Sequence, residues 1–522
     1  MRKIASLLYG VLFLQPVHAQ EPSGLTKRMF DGLEYRTELQ LSGANGKTPL
    51  WLNANKYGLS SLNKFNGYLR GALERPVRND SAHQWGVGYG LDVAVAQNYT
   101  SRLIVQQAYL ETRWLKGALT VGSKHQPMEL LNDELSSGAQ TLGINARPIP
   151  QVRLSLSDYW VPRFTKGWVG IKGHVAYGMY TDKNWQQEFT GLGEHRYVDN
   201  ILYHSKAGYL RIGNEEEFPA TFEFGLEMAA QFGGTAYFKD HMGVLQVQEG
   251  GKGIKDFYRA FVPGGSDVGE TTYQNAAGNL LGSYMVRVSI DDPSWRLRFY
   301  GDHFFEDHSS MLFLDYNGYG TGENWNVKEK RKFVLYKLSD FLVGAEVTFK
   351  TFPWIRNVVL EYLTTKYQSG PLYHDHTPAI SEHVSGRDDY YNHFFYNSWQ
   401  HWGQVMGNPL YRSPIYNEDG DLRIKNSRFK AIHLGFSGRL NTYFHHRVLA
   451  SYQKGFGTYS EPFTDPQSNV SLLVEGIYEL HGRRTKGWSV RGAIGADFGK
   501  ILGNNYGLQF TIVKSGILNA KQ

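Results

Sequence analysis

The residues best suited to bind a ligand cluster in one segment, DDYYNHFFYNSWQHWGQ, from Asp388 to Gln404. Its tyrosines and tryptophans offer apolar ring faces, and its Asp, Asn and Gln side chains offer planar hydrogen-bonding groups. This combination suits the C–H faces and hydroxyls of a sugar better than a lipid or a phosphate. The alternative is that the rings pack the segment against its surroundings and keep only their polar tips hydrated. The candidate carbohydrate-binding residues are Arg387, Asp388, Asp389, Tyr390, Tyr391, Tyr396, Trp399 and Trp402.

Histidines near this segment raise the question of a metal site. His374 and His376, with Asp375 between them and His383 downstream, have the spacing of two ligands on one strand face. Zinc needs three or four such ligands, and no third ligand is evident. A second group, His303, Glu306, Asp307 and His308, has the same weakness. The chain has no cysteine, which excludes Cys-ligated zinc and disulfides. We therefore predict loop histidines, no metal and no cofactor.

Acidic and nucleophilic residues raise the possibility of an enzyme. Adjacent acids occur at Glu306/Asp307, Asp388/Asp389 and Glu418/Asp419. A glycosidase needs two carboxyls about 5 to 9.5 Å apart across a bound sugar, which a sequence does not show. Ser398 with His393 and Asn397 has the residue types of an esterase, but no nucleophile motif surrounds the serine. A non-catalytic protein is the favoured prediction.

The elements that must position these residues are long strands with two unlike faces. Apolar and small or polar residues alternate over 85–96, 222–232, 488–498 and 506–512, which is the period of a β-strand. The strands are roughly 9 to 13 residues long, enough to cross a membrane. In a membrane barrel the apolar face meets lipid, and charged residues such as Glu223, Glu227, Arg491 and Asp497 face a wet lumen. A soluble β-sandwich is the alternative.

Aromatic residues near the strand ends support the membrane alternative, because a transmembrane barrel carries an aromatic girdle at each interface. The predicted girdle residues are Trp85, Trp114, Trp168, Phe232, Trp295, Phe349, Trp488 and Phe498.

The lengths of the connections give a second test of the barrel prediction. The pattern predicts about eighteen strands, near 33–41, 65–74, 85–97, 102–114, 117–124, 150–158, 168–180, 204–213, 221–232, 282–290, 295–303, 341–350, 355–366, 430–440, 446–455, 470–481, 488–499 and 505–513. Alternate connections are short, and the other set contains the long ones, 42–64, 125–149, 181–203, 233–281, 304–340 and 367–429. Outer-membrane barrels have short periplasmic turns and long extracellular loops. We predict an all-β, transmembrane antiparallel outer-membrane β-barrel.

The N-terminus predicts export. Arg2 and Lys3 precede a short apolar core, and Val17-His18-Ala19 forms a small-residue cleavage site. Residues 1–19 are therefore predicted to be a removed signal peptide, and 20–522 a single barrel domain in the outer membrane of a Gram-negative bacterium. The formal net charge of +6 is too mild to indicate nucleic-acid binding.

Five segments, in this order along the chain, resemble the Wzi family of outer-membrane capsule-assembly proteins. They are HSKAGYLRIG (204–213), FYGDHFFEDHSSM (299–311), LEYLTTKYQSGP (360–371), DDYYNHFFYNSWQHWGQVMGNPL (388–410) and NSRFKAIHLGFSGRL (426–440). The resemblance implies an eighteen-stranded barrel that acts as a surface lectin for capsular polysaccharide, with no catalytic motif. Its implied partners are surface polysaccharide and outer-membrane lipid, and polysaccharide export machinery is left open. Long loops at 233–281 and 367–429 depart from the family and put the glycan specificity in doubt.

A sugar-selective porin is the alternative function. About eighteen strands enclose a channel unless it is plugged. We expect the two longest loops to fold over or into the lumen and close it.

Overall fold

The computed structural model describes residues 31–80, 84–262, 278–306, 314–316, 320, 322–329, 333–335, 338–373 and 384–518. The predicted signal peptide lies outside these residues. So do His374, Asp375, His376 and His383, and also Asp307 and His308 of the second histidine group.

The wall is a closed antiparallel barrel of eighteen strands. The strands, numbered β1 to β18 in chain order, are Leu33–Asn45, Phe65–Arg75, Trp85–Gln97, Leu103–Trp114, Gly117–Ser123, Gln151–Trp160, Val169–Met179, Tyr197–Ile212, Ala220–Lys239, Asn279–Asp291, Trp295–Glu306, Phe341–Phe349, Asn357–Thr364, Phe429–Arg439, Phe444–Gly457, Pro462–Glu479, Trp488–Gly499 and Asn505–Leu518. Each strand pairs with its sequence neighbours, and β1 closes the barrel by pairing with β18 from Leu33 opposite Leu518 to Asn45 opposite Tyr506. Every predicted strand overlaps one wall strand, so the fold prediction is confirmed.

The two faces of the strands differ in exposure as predicted. Outward-facing Leu91 and Val95 are 54% and 64% exposed, whereas inward-facing Glu227 is 1% exposed. Inside the lumen, charged side chains pair across neighbouring strands, for example Arg287 Nε with Glu223 Oε2 at 2.6 Å. The period-two pattern therefore divides a lipid-facing surface from a hydrated interior.

The connections also sort as predicted. Short turns, the longest joining Arg75 to Trp85, lie at one end of the barrel, which we call the short-turn end. The opposite end, called the long-loop end, carries every connection of more than ten residues. In the described ranges, no helix is both long and apolar enough to cross a membrane.

Three of the long connections fold into the lumen and fill most of it. We call them together the plug: 46–64, which contains helix α1 (Leu50–Asn53), 124–150 and 387–428. Their polar groups bond to the inward-facing wall residues. Leu50 N donates to Asp497 Oδ2 at 3.0 Å, and Gln140 N donates to Asp302 Oδ2 at 3.0 Å. The lumen is thus a polar packing surface, and the expectation that a long loop enters it holds for the described part of 367–429.

The described part of the other long loop, 233–281, lies elsewhere. A second helix, α2 (Lys183–Phe189), lies in the connection between β7 and β8, and α3 (Ile254–Phe261) lies in the loop after β9. Helix α3 packs on the outer surface of the wall, where Phe257 meets the outward-facing ring of Phe232 at 5.0 Å. This contact corrects the prediction for Phe232, which is 3% exposed and does not join the aromatic girdle. The shorter loops 46–64 and 124–150 take the expected place of 233–281 inside the barrel.

Candidate functional site

Four of the predicted ring residues form the core of the plug. Tyr390, Tyr391 and Trp399 are fully buried, and Tyr396 is 5% exposed. Tyr390 packs edge-on against Phe304 of the wall, with ring centres 4.8 Å apart. In this conformation none of the four offers a free face to a ligand.

Hydrogen bonds hold these rings in place in addition to packing. Trp399 Nε1 donates to Thr141 O at 3.2 Å, joining two segments of the plug. Tyr391 OH donates to Gln140 O, and Tyr396 OH donates to Gly233 O at 3.1 Å. The backbone N of Tyr391 also donates to the wall carboxylate of Glu306 at 2.8 Å. Each ring thus holds the segment in one position relative to the barrel, because a buried polar tip needs a partner.

The backbone of the segment is held in unusual conformations. Tyr391, Asn397 and Trp402 have positive φ angles of 69°, 62° and 55°. The left-handed region costs such residues roughly 1 kcal/mol or more each, and packing must offset that cost. Other residues outside this segment, such as Asn55 and Tyr57 in the plug loop 46–64, also have positive φ angles, so this strain does not by itself mark a functional site.

The exposed part of the predicted site centres on a ring that the sequence analysis missed. Tyr459 lies in the short connection between β15 and β16. Two guanidinium groups approach it, Arg428 at 3.7 Å and Arg387 at 4.9 Å from the ring centre. Tyr459 OH donates to Tyr367 O at 2.8 Å, and the Tyr367 ring is 50% exposed. We call Tyr367, Arg387, Arg428 and Tyr459 the arginine–tyrosine surface.

Among the described residues, the two arginines of this surface have no acidic partner. Arg428 Nε donates to Lys366 O at 3.1 Å, which is a contact with a carbonyl and leaves the charge uncompensated. Arg423 nearby is different, because it pairs with both Asp421 and Glu461. Within the described ranges, no carboxylate forms an ion pair with Arg387 or Arg428. The surface therefore favours an anionic ligand with apolar faces.

Asp388 and Asp389 lie beside the arginine–tyrosine surface and are partly buried. Asp388 N donates to Gln368 O at 2.9 Å, and Asp389 accepts from Ser427 Oγ at 2.7 Å. Burial raises the pKa of the Asp389 carboxyl above its usual value, against the lowering effect of the Ser427 hydrogen bond. Both residues connect the exposed surface to the buried core of the plug.

Trp402 lies over a different arc of the rim. The ring is half-buried, and its Nε1 donates to Thr181 Oγ1 at 3.2 Å. The Arg147 guanidinium stacks 4.1 Å from the ring centre, and burial lowers the pKa of Arg147 to about 9. Because Thr181 follows β7 whereas Tyr459 follows β15, the structure does not bring Trp402 and Arg387 into one pocket.

The arrangement gives no support to catalysis by Ser398. Its Oγ donates to Leu422 O at 2.6 Å, while His393 Nδ1 accepts from Phe395 N at 3.0 Å. A serine nucleophile needs a hydrogen bond to its base, and these two residues form none with each other. In the part of the chain that the structure describes, no group of three or more His, Asp or Glu side chains is placed to hold a metal ion.

Tyr459 and Arg428 were missed for a simple reason. Both lie close in space to the aromatic segment. Tyr459 lies in a short turn and Arg428 directly precedes a strand, and neither position shows a ligand-binding pattern in the sequence. The only local signal was an aromatic residue in a turn between two strands, Gly457 to Pro462.

Known structures with this architecture are outer-membrane barrels. A TM-score of 0.56 relates the chain to Wzi, described as an outer membrane protein involved in group 1 capsule assembly in Escherichia coli and as a carbohydrate-binding β-barrel, at 12% identity over 95% of this chain and 86% of that one. OprD of Pseudomonas aeruginosa gives a TM-score of 0.43 at 9% identity, over 94% and 96%. No family model and no curated protein matches the sequence. The chain is an eighteen-stranded outer-membrane β-barrel that shares its fold with Wzi.

Proposed function

We propose that this barrel binds and organises capsular or other surface polysaccharide at the cell surface, as a lectin and without catalysis. The long-loop end faces the cell exterior, and the short turns face the periplasm, as in other outer-membrane barrels. The observation that carries the proposal is the arginine–tyrosine surface, where Arg387 and Arg428 flank the Tyr459 ring.

The chemistry of this surface suits an acidic polysaccharide. Tyr367 and Tyr459 provide rings for the C–H faces of sugars, while two guanidinium groups provide forked donors for carboxylates or phosphates. The buried core of Tyr390, Tyr391 and Trp399 supports the surface from below. A rigid surface loses little entropy on binding, which favours affinity for a flexible polymer. Arg387, Asp388 and Asp389 are accordingly the predicted residues closest to bound glycan.

Replacing Tyr459 by alanine is expected to weaken polysaccharide binding by roughly fivefold or more, because stacking and cation–π contacts at an exposed site contribute about 1 kcal/mol. The measurement is binding of the purified, detergent-folded protein to polysaccharide extracted from its own source cell. Free glycan fragments should compete with this binding.

The matched control is Tyr443→Ala. Tyr443 is an exposed tyrosine in a turn at the short-turn end, where it stacks on His481. It should leave binding unchanged. Equal binding by the wild type and Tyr459→Ala would rule out the arginine–tyrosine surface as the glycan site, and no binding by the folded wild type would reject the lectin function.

A sugar-selective porin remains the alternative function. The plug argues against a porin, because buried side chains from three loops occupy the lumen and form hydrogen bonds with the wall. We expect the wild-type protein to give no large steady conductance in a planar lipid bilayer. A stable open current that sugars block would favour the porin instead.

A further inference from the structure

The plug leaves one large polar space inside the barrel. A cavity of about 810 Å³ lies between the plug and the short-turn end, and we call it the short-turn chamber. Plug residues Asn55, Lys56 and Tyr57 line its inner side, and Arg356 and Arg439, near the ends of wall strands, line its mouth. Ligand pockets usually have volumes of about 300 to 1,000 Å³, so the chamber is large enough for a small molecule.

Deep in the chamber, three cations share one carboxylate. Glu475 Oε1 lies 3.2 Å from Arg447 Nε, and its Oε2 lies 3.7 Å from Arg491 Nη1. Lys56 projects from the plug towards the same group and donates to Gln509 Oε1 at 2.7 Å. Burial, aided by the charges of Arg491 and Arg447 and opposed by Glu475, lowers the pKa of Lys56 to about 8. One carboxylate therefore does not balance the positive charge around it.

The mouth of the chamber adds two more cations. Arg356 and Arg439 have exposed side chains, and neither forms an ion pair with an acidic residue of the described chain. An anion entering from the short-turn end meets these two groups first.

The lining also contains acidic groups, and some of them already have partners. Glu38 pairs with Arg36, and Glu479 pairs with His445 at 3.4 Å. Asp133 accepts from Met128 N at 2.8 Å, and burial raises the pKa of Asp133 above its usual value against the lowering effect of this hydrogen bond. Glu134 remains as an exposed acid. The lining also includes Arg70, which pairs with Asp92 outside the chamber, and His125 and His446.

We propose that the short-turn chamber is a binding site for a small organic anion, a sugar of one or two rings that bears a carboxylate or a phosphate. Arg447, Arg491 and Lys56 bind the anionic group in the depth, and Arg356 and Arg439 attract it at the mouth. Arginine recognises both anionic groups through paired N–H donors, and the shielded interior strengthens the attraction relative to bulk water. This site is at the opposite end from the arginine–tyrosine surface and does not depend on it.

Calorimetric titration of the purified, detergent-folded full chain tests the proposal. The probes are glucuronate, glucose 6-phosphate and neutral glucose at the same ionic strength. We expect saturable binding of at least one charged sugar and none of glucose, and the two charged probes show which anionic group is preferred. Binding of none, or equal binding of glucose, would overturn the proposal.

Variants at the mouth locate the site. The double substitution Arg356→Gln and Arg439→Gln should weaken anion binding by roughly fivefold for each arginine, the value of one exposed ion pair. Both side chains are exposed and form no ion pair with the described residues, so folding should be preserved. Lys56→Gln should weaken binding at least as much, because its charge is less screened by solvent.

The matched control is Arg483→Gln with Arg484→Gln, in the exposed turn between β16 and β17 at the same end of the barrel. It removes the same charge outside the chamber and should leave binding unchanged. Equal losses in the two double variants would mean attraction by general surface charge and would reject the site. Tyr459→Ala should not alter the binding of small anions, which separates this test from that of the lectin function.

Discussion

Replacing Trp399 by alanine is expected to destabilise the closed plug by about 3–5 kcal/mol, the usual cost of truncating a buried large aromatic residue. The Trp399 side chain is fully buried, and its indole N–H bridges to Thr141 O at 3.2 Å. The substitution removes both the packing and the bridge between two plug segments. The wall should survive, because its strands are held by backbone pairing around a closed sheet.

Planar-bilayer recording and gel migration together measure this effect. Trp399→Ala should show ion-conducting openings that the wild type lacks, while its heat-modifiable migration as a folded barrel is retained. Trp354→Ala is the control, since Trp354 is 60% exposed at the short-turn end. A closed Trp399→Ala protein would show that other contacts hold the plug, and loss of the folded band would show that the ring supports the wall itself.

Replacing Glu361 by alanine is expected to release the plug segment 124–150 from the wall. Glu361 lies on β13, is 2% exposed, and accepts hydrogen bonds from Ser136 Oγ at 2.6 Å and Ser137 N at 2.8 Å. It also accepts from Tyr300 OH at 2.6 Å. Removing the carboxylate leaves three buried donors without their acceptor, at a cost of about 1–3 kcal/mol each. Glu361→Gln should cost less, because it keeps one acceptor oxygen.

Trypsin cleavage of the folded protein measures the release. Lys124 lies at the start of this plug segment, and cleavage after Lys124 should be faster in Glu361→Ala than in the wild type. Glu74→Ala is the matched control, because Glu74 accepts a hydrogen bond from Tyr109 OH at 2.7 Å within the wall and has no described bond to the plug. Equal resistance of Glu361→Ala and the wild type would argue against Glu361 as an anchor.

Strand number, strand faces and the sorting of loops could all be predicted from the sequence. Each depends on a local pattern: alternation along 85–97 or 488–499 fixes which side chains face lipid, whatever the partner strands are. Short turns likewise force neighbouring strands to pair. These properties follow from residues close together in the chain, so the sequence alone predicts them.

Whether the aromatic side chains of 388–404 are buried or exposed was decided only by the tertiary structure. A tyrosine in a polar loop has the same local sequence pattern whether it is packed or exposed. In the structure, Tyr390 is buried against Phe304, Trp399 contacts Thr141, and Tyr391 contacts Glu306. The same long-range packing selected the loops that enter the lumen and placed the described part of 233–281 outside it.

Both proposed sites likewise depend on contacts between distant parts of the chain. Arg387 meets Tyr459, and Lys56 reaches towards Glu475, although each pair is far apart in sequence. The sequence by itself determined the barrel, because period-two alternation is local. Only the tertiary structure determined which charges and rings meet inside and above it, because closing the barrel brings non-neighbouring loops together.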